Sequence, residues 1–438
     1  SGRIGFVLAD LETGETLEAL RPDQAFAPAS TAKVPTALFA LAALGPDRRF
    51  VTEALATGAE SGGVAGDLAL RGGGDPELDS AALATLADVT AARVGGVSGR
   101  FLVDTGPFPT LARIDDDQPV DAAYNPAVSG LNLNFNRVRF HWARAGDSIE
   151  TAMQAHAVGA SPETRAVAAA LEGPDCGCPV FAHAMAAEGE LWRVRADALR
   201  GEGSVWLPVR DPAGYAGDVF RTLAAQAGLA LPDPARGVAP AGAAPLASWE
   251  SRPVGEMTAD MLRFSTNLTA EALGLAAAAA LGPPPVGLIG SAMAMEAWCA
   301  EMAGFERGDP EFRLANHSGL TTRSAVSPRR MAALLRAAAT GPLPAMLEER
   351  AIDDRGAPAP KGAAVNAKTG TIDFGRGLAG YATAPSGRRL VFAYYANDLP
   401  RRAATRGMGR RPPGARGWRN RALALERALL RSWLGRFG

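Results

Sequence analysis

Hydrophobic and polar positions along the chain predict a sheet that is built from the two ends of the sequence. Four apolar runs, some continuous and some alternating with polar residues, are typical of strands. These runs cover residues 3–10, 363–372, 377–384 and 389–396. Turn residues at 11–15 and 385–387 predict tight antiparallel connections beside them. Antiparallel strands at both ends need partners, so we expect one sheet from which the middle of the chain is excluded.

The helical periodicity predicts several amphipathic or buried helices with recognisable boundaries. Gly45-Pro46 is a stop signal for the first helix, and Asp79 or Ser80 can cap the second. Ser327-Pro328 is a favourable pair for starting a later helix. The predicted helices cover residues 34–44, 80–92, 213–227, 254–262, 268–281, 287–303 and 328–339.

The middle of the chain has the pattern of a separate, nested insertion. Strands predicted at 67–71 and 100–104 flank a helix, which is the pattern of a right-handed parallel crossover. From the strand at 100–104 to another predicted strand at 205–209, the hydrophobic pattern is irregular. It includes half-buried strands such as the one containing Val138 and Phe140. A Pro- and Ala-rich stretch at 231–247 is interpreted as the connection back out.

The predicted class is therefore α/β (α+β), with an antiparallel sheet flanked by helices and an inserted region of two lobes. We assign residues 1–45 and 248–438 to the main domain. Residues 46–107 and 201–247 form an inserted α/β lobe, and residues 108–200 a smaller β-rich lobe. A chain of 438 residues is long enough to form a hydrophobic core in the main domain and in each of the two lobes.

Composition excludes several functional classes. With 47% hydrophobic residues, 21% charged residues and a net charge of −1, the chain is an ordinary globular protein with no case for binding nucleic acid. Three cysteines and four histidines argue against a metal site, and no cofactor is implied. Cys176 and Cys178 are predicted to be too close in sequence for an easy unstrained bridge. The apolar stretch at 273–281 is too short to span a bilayer.

Lysine usage points to a chemical site. Lysine fills three of the 45 Lys and Arg positions, and arginine fills the other 42. Arginine does not give up its proton in proteins, so a retained lysine indicates a need for a titratable amine. Lys33 follows Ser30 by three residues at the start of the first helix, where both side chains lie on one face. A serine there has a base within reach and free backbone N–H groups nearby.

Two further polar segments accompany this pair. Ser265-Thr266-Asn267 separates two predicted helices, and taken alone it is a cap for the second of them. The other segment, Lys368-Thr369-Gly370-Thr371, lies on a predicted strand.

The ordered set Ser30-x-x-Lys33, Ser265-x-Asn267 and Lys368-Thr369-Gly370 resembles the penicillin-recognising serine acyl-transferases. The long spacing from Ser30 to Ser265, with the insertion between them, resembles the D-alanyl-D-alanine carboxypeptidase/endopeptidase family of low-molecular-mass, class C penicillin-binding proteins. Further segments that carry the likeness are residues 72–76, 264–271 and 318–320. Asn316-His317 departs from it, since many members have an acidic residue and a glycine there.

The resemblance implies a penicillin-binding, transpeptidase-like main domain and a periplasmic enzyme that acts on peptidoglycan stem peptides and is acylated by β-lactams. Ser30 would be the nucleophile and Lys33 its base, with Ser265 relaying a proton and Asn267 holding Lys33 or the substrate. Lys368 and Thr369 would bind the terminal carboxylate beside Gly370, and the N–H groups of Ser30 and Thr371 would form the oxyanion hole. A start at Ser1-Gly2 is expected of an exported protein after removal of its leader.

Three alternatives stay open. A serine β-lactamase would need an additional deacylating base, for which the sequence offers no credible candidate. A Ser-His-Asp hydrolase would use one of the histidines, which are His141, His156, His183 and His317. A non-catalytic wall-binding module would be expected to lose a motif residue, and none is lost.

The C-terminal segment from Arg401 carries eleven arginines and one acidic residue, Glu426. Trp418, Ala422 and Leu425 share a helical face there, and we expect that face to pack on the sheet. The alternative is a weak peripheral contact with anionic lipid.

Overall fold

The computed structural model describes residues 2–58, 63–146, 148–352, 360–408 and 412–437. The chain divides into two compact units. The first comprises Ser1–Asp47 and Val254–Gly438, and the second comprises Arg48–Pro253. Each unit is described by itself.

The strands of the described residues are numbered in chain order. They are β1 (Arg3–Asp10), β2 (Thr16–Leu20), β3 (Val51–Ala56), β4 (Val64–Ala65), β5 (Leu68–Arg71), β6 (Gly96–Val97), β7 (Phe101–Asp104), β8 (Arg137–Ala145), β9 (Ser148–Gln154), β10 (Val167–Glu172), β11 (Phe181–Ala186), β12 (Gly189–Arg195), β13 (Glu202–Pro208), β14 (Pro234–Arg236), β15 (Ala244–Glu250), β16 (Phe312–Arg313), β17 (Ala325–Val326), β18 (Ala364–Ile372), β19 (Gly375–Thr383) and β20 (Arg389–Asn397).

The helices follow the predicted periodicity closely. They are α1 (Lys33–Leu44), α2 (Ser80–Arg93), α3 (Pro212–Gln226), α4 (Val254–Phe264), α5 (Asn267–Leu281), α6 (Leu288–Ala303), α7 (Pro328–Ala337), α8 (Leu343–Met346), α9 (Leu399–Ala404) and α10 (Ala415–Arg436). The predicted caps are confirmed, because the Asp79 side chain accepts a hydrogen bond from Ala82 N and Ser327 accepts one from Arg330 N.

The two ends of the chain form one antiparallel sheet in the first unit, as predicted. Its order is β18-β19-β20-β1-β2, so the C-terminal hairpin joins the N-terminal strand through the β20–β1 pair. The central strands β19, β20 and β1 are almost continuously buried. Strand β18 lies at one edge of the sheet, and residues 348–350 bond to the outer side of its first half, with Ala367 N donating to Glu348 O and Arg350 N donating to Val365 O.

Helices flank the sheet. Helix α1 packs against α4, α5 and α6, while α7 packs on β20 and β1. Helix α10 contacts β19, and its buried Trp418, Leu430 and Trp433 belong to one hydrophobic cluster with Phe6 and Phe392 of the sheet. The prediction that the C-terminal helix packs on the sheet is confirmed, and so is the predicted α/β class.

The second unit contains the predicted parallel crossover. Strands β5 and β7 pair in parallel and are connected by α2, within a five-stranded sheet of order β14-β7-β5-β3-β15. The described residues of this unit also form two three-stranded sheets, β10-β12-β11 and β13-β8-β9, and a two-stranded sheet of β4 and β6. One hydrophobic cluster includes Phe101, Phe140, Trp192 and Phe220. The division of the inserted region into two lobes stays a prediction.

One sequence-based expectation in this unit is wrong, and a disulfide is present that the sequence spacing did not favour. Residues 231–247 are not a plain connection, because β14 and most of β15 lie there, at the two edges of the five-stranded sheet. Edge strands tolerate proline, which removes only a donor that faces away from the ladder. Cys176 and Cys178 form a disulfide. A 3-10 turn followed by Gly177 at φ 63° brings their Cα atoms to 5.2 Å, within the ordinary range for a disulfide.

The described part of the chain shows neither a membrane-spanning helix nor a metal-binding cluster. None of its helices combines the length and apolar character needed to cross a bilayer. The same residues contain no group of three or more His, Cys, Asp or Glu side chains arranged to hold a metal ion.

Candidate active site

Ser30 lies in a 3-10 turn, Ala29–Ala32, that leads directly into α1. The α-helix therefore begins at Lys33, one turn after Ser30. Because the 3-10 turn continues into the helix, Ser30 and Lys33 still lie on the same face. Thr31 fixes the turn, because its Oγ1 donates to Pro28 O at 2.8 Å and lies 3.2 Å from the hydroxyl of Tyr395. Ser30 itself is half-buried and accessible.

Lys33 is fully buried, with 0% of its surface exposed. Its Nζ lies 3.1 Å from Ser30 Oγ, 2.7 Å from Asn267 Oδ1 and 2.9 Å from Ser318 O. Burial lowers the pKa of Lys33 well below its usual value, and the charge of Lys368 adds to this effect, while Glu271 opposes it. Burial therefore favours the neutral form of this amine.

The Ser265–Asn267 segment joins α4 to α5. Ser265 adopts a left-handed backbone, with φ 60°, which turns the chain sharply between the two helices. Thr266 is the N-cap residue of α5, yet among the described residues it makes no side-chain capping bond. The segment is therefore more than a simple cap, since Asn267 accepts a hydrogen bond from Lys33.

Lys368 lies on the edge strand β18 and is 1% exposed. Its Nζ donates to Ser265 Oγ at 3.0 Å and to Thr369 O at 3.1 Å. Burial, with the positive charge of Arg350, lowers the pKa of Lys368 to about 7. This lysine therefore titrates near neutral pH.

Gly370 lets β18 approach the nucleophile turn. A Cβ atom at this position would lie 2.7 Å from Pro28 O and 3.0 Å from Ser30 N, so any side chain would push the strand away. Thr369 beside it is half-buried and Thr371 is exposed. The structure thus brings the three predicted motifs together in the first unit, while the catalytic role of each residue remains a prediction.

Glu271 is a residue of this site whose role the sequence did not reveal. It is fully buried, and its carboxylate accepts hydrogen bonds from His317 N and Ser318 N, each at 2.9 Å. Burial raises the pKa of Glu271, and the bonds from Ser318 and His317 oppose that rise. By holding the Ser318 peptide, Glu271 positions the carbonyl that accepts from Lys33. The available signal was its place one turn after Asn267 on α5.

The histidines do not supply a catalytic base next to Ser30. His317 is fully buried, its Nε2 lies 2.7 Å from Ser291 Oγ, and burial lowers its pKa to about 3. The other three bind within the second unit, to Glu202, Ser161 and Glu190. A Ser-His-Asp arrangement is therefore not formed by the described residues.

The family of this chain follows from comparison with known proteins. Residues 2–410 match the model of the D-Ala-D-Ala carboxypeptidase 3 (S13) family. The chain belongs to this family. One similar protein is a D-alanyl-D-alanine carboxypeptidase of an Actinomadura strain, which is 30% identical to this chain over 429 residues. The alignment covers 90% of this chain and 77% of the relative. A carboxypeptidase of Mycobacterium tuberculosis is 28% identical over 418 residues, covering 91% and 77%.

Solved structures show the same fold as this S13-family chain. Penicillin binding protein 4 of Haemophilus influenzae superposes with a TM-score of 0.76 at 19% identity, covering 97% of this chain and 96% of that one. A predatory endopeptidase of Bdellovibrio bacteriovorus superposes with a TM-score of 0.53 at 14% identity, covering 99% and 94%. The similarity in fold to penicillin binding protein 4 therefore covers 97% of this chain, which includes residues of the inserted unit.

Proposed function

We propose that this S13-family protein is a serine-type D-alanyl-D-alanine carboxypeptidase and endopeptidase that acts on peptidoglycan stem peptides through an acyl-enzyme on Ser30. The family supplies the reaction class, and the arrangement around Ser30 supplies the chemistry. β-Lactams would acylate the same serine, because they present a reactive carbonyl in place of the peptide bond.

The observation that carries the proposal is the surroundings of Lys33 Nζ. Asn267 Oδ1 and Ser318 O can only accept hydrogen bonds, so a neutral amine donates its two hydrogens to them. Its lone pair then faces Ser30 Oγ at 3.1 Å. The serine hydroxyl donates into this lone pair, which is the arrangement that general-base activation of a nucleophile requires.

The reaction follows from these positions. Ser30 Oγ transfers its proton to Lys33 Nζ and forms a bond to the carbonyl carbon of the penultimate D-alanine. The oxyanion is stabilised by the N–H groups of Ser30 and Thr371. As the C–N bond breaks, the proton on Lys33 Nζ passes through the Ser265 hydroxyl, which can both accept and donate, to the leaving amine, so that Lys33 is neutral again. Water then attacks the ester, and the released proton returns to Ser30.

Substrate recognition is assigned to β18. Lys368 in its protonated form and Thr369 would bind the terminal carboxylate of the peptide, or that of penicillin. In the endopeptidase mode, the same serine would cleave a D-alanyl–diaminopimelate cross-link.

Labelling with fluorescent benzylpenicillin tests the proposal. We expect one stable adduct per chain, and peptide mapping should place it on Ser30. Ser30→Ala should abolish labelling, whereas the control Ser386→Ala, at an exposed turn serine, should not change it. Rapid turnover of penicillin would favour a β-lactamase, and absence of any adduct on the folded protein would favour a non-catalytic wall-binding module.

The site of action follows from the substrate. Peptidoglycan is a polymer of the cell wall, so we infer that the protein works outside the cytoplasm, in a periplasmic or wall-facing location. Cell fractionation with penicillin labelling tests this inference.

A weak contact between α10 and anionic lipid is also proposed. Arg416, Arg419 and Arg421 are exposed on the helix, and their positive charge supports the proposal. Sedimentation with anionic liposomes at low and high salt is the test, and binding that is insensitive to salt would contradict it.

The predicted division of the inserted region into two lobes is retained as a proposal. Limited proteolysis should release a fragment beginning near residue 108 and ending near residue 200 if the β-rich lobe folds by itself.

A further inference from the structure

Helix α10 is linked to the sheet near the active site by a buried ion pair. Glu426 of α10 accepts two hydrogen bonds from Arg376 of β19, from Nε at 2.6 Å and from Nη2 at 2.7 Å. The two side chains are 11% and 5% exposed. A bidentate bond of this kind fixes the plane of the guanidinium as well as its position.

The remaining edge of the guanidinium contacts the active-site strand. Arg376 is the direct neighbour of Thr371 in the β18–β19 register, and its Nη1 donates to Thr371 Oγ1 at 3.0 Å. Since Oγ1 accepts this bond, the proton of the Thr371 hydroxyl is directed to a different acceptor. Thr371 is exposed, so that acceptor can be a ligand.

A hydroxyl that is held as a donor suits an anionic ligand. The hydroxyl accepts from a permanent cation, which polarises its own O–H bond toward a further acceptor. Arginine keeps its charge at every accessible pH, whereas Lys368 loses its charge near neutrality. The charge of Arg376 is also one of the groups that lower the pKa of Lys368. This pair therefore gives β18 a recognition element that does not titrate.

We propose that Arg376 and Glu426 are positioning residues that orient the Thr371 hydroxyl as a donor to the terminal carboxylate of the substrate. Glu426 acts only through Arg376, and it makes the C-terminal helix part of carboxylate recognition. This inference rests on the proposed peptidase function, because it names a specificity element of the same site.

The competing explanation is that the pair only holds α10 on the sheet. A comparable pair offers a control: Arg388 Nε donates to Asp10 Oδ2 at 2.7 Å in the same sheet, and Asp10 is also buried. That carboxylate otherwise accepts from the backbone of Glu12 and Thr13 in the β1–β2 turn. A purely structural role predicts similar consequences when either carboxylate is neutralised.

The test measures discrimination between a peptide that ends in D-alanyl-D-alanine and its C-terminal amide. For each variant, kcat and KM are determined for both peptides, with melting temperature and penicillin labelling as controls for folding. We expect Glu426→Gln to lower the acid-to-amide ratio of kcat/KM about 10- to 100-fold, mainly through KM of the acid, as for loss of a hydrogen bond to a charged group. Asp10→Asn should leave the ratio unchanged.

A double-mutant cycle identifies the route of the effect. Thr371→Val removes the hydroxyl and keeps the backbone N–H, so it should lower the ratio to the same extent. Adding Glu426→Gln to Thr371→Val should then lower it no further. If Glu426→Gln proves unstable, Arg376→Lys provides the second test. A lysine ammonium lacks the planar guanidinium that bonds Glu426 and Thr371 at the same time.

The outcomes separate this inference from the proposed function. Equal losses for the acid and the amide, or additive effects in the cycle, would overturn the positioning role while penicillin labelling of Ser30 is retained. Failure of the unaltered protein to form a penicillin adduct would instead overturn the peptidase proposal itself.

Discussion

Replacing each active-site lysine by arginine separates the need for a base from the need for a charge. Lys33→Arg keeps a cation in a side chain that is fully buried, but it removes the lone pair that faces Ser30. Loss of general-base catalysis costs about 10²- to 10⁴-fold, and the Lys33 amine that would act as the base lies 3.1 Å from the Ser30 hydroxyl. We expect acylation to fall by at least ~10³-fold, which corresponds to about 4 kcal/mol in the activation free energy.

Lys368→Arg should have a smaller effect. The variant keeps the positive charge for the carboxylate, and its main loss is the hydrogen bond from Nζ to Ser265 Oγ at 3.0 Å. A hydrogen bond that involves a charged group contributes about 1.5–3 kcal/mol, so the expected loss is about 10- to 100-fold. The surface residue Lys361 supplies the matched control, because Lys361→Arg should leave the rate unchanged.

Stopped-flow acylation with a chromogenic cephalosporin measures the three variants, and circular dichroism confirms that each is folded. If Lys33→Arg does not fold, Lys33→Met, which has similar length and no charge, takes its place. Equal and modest losses for Lys33→Arg and Lys368→Arg would refute Lys33 as the base and would leave Ser30 without an identified activator.

Three further predictions follow from the same contacts. Because burial lowers the pKa of Lys368 to about 7, its charge is present below that pH and lost above it; KM for a peptide with a free terminal carboxylate should rise from about pH 6 to about pH 9, and a flat profile would contradict the assignment. In Glu271→Gln, one carboxylate oxygen becomes an NH₂ group, so one of the backbone N–H groups of residues 317 and 318 loses its acceptor. We therefore expect kcat to fall about 10-fold or more with little change in KM. An unchanged kcat would show that Glu271 is not a positioning residue. Deleting residues 416–438 exposes the sheet face that Trp433 covers, so the melting temperature should drop by several degrees; a truncated protein that melts like the full chain and loses only liposome binding would show that the helix serves the membrane.

The local elements and one chemical pair follow from the sequence alone. Hydrophobic periodicity located helices α1 to α7 to within a few residues, because each amphipathic face repeats with the helical period, whereas the short helices α8 and α9 were not predicted. The Ser30–Lys33 pair is set by spacing, since two residues three apart lie on one face of any helical turn. The pairing of the chain's ends into one sheet could also be predicted, because strands at both ends lacked nearby partners.

Only the tertiary structure decided what surrounds those groups. Lys33 meets Asn267 and Ser318 across separations of 234 and 285 residues, and Lys368 meets Ser265 across 103. The lowered pKa values of both lysines arise from burial, which no local pattern encodes. The link from Glu426 through Arg376 to Thr371 likewise depends on where α10 lies on the sheet. A hydrogen bond or a desolvation energy acts over a few ångströms, so it depends on which distant segments the fold brings together.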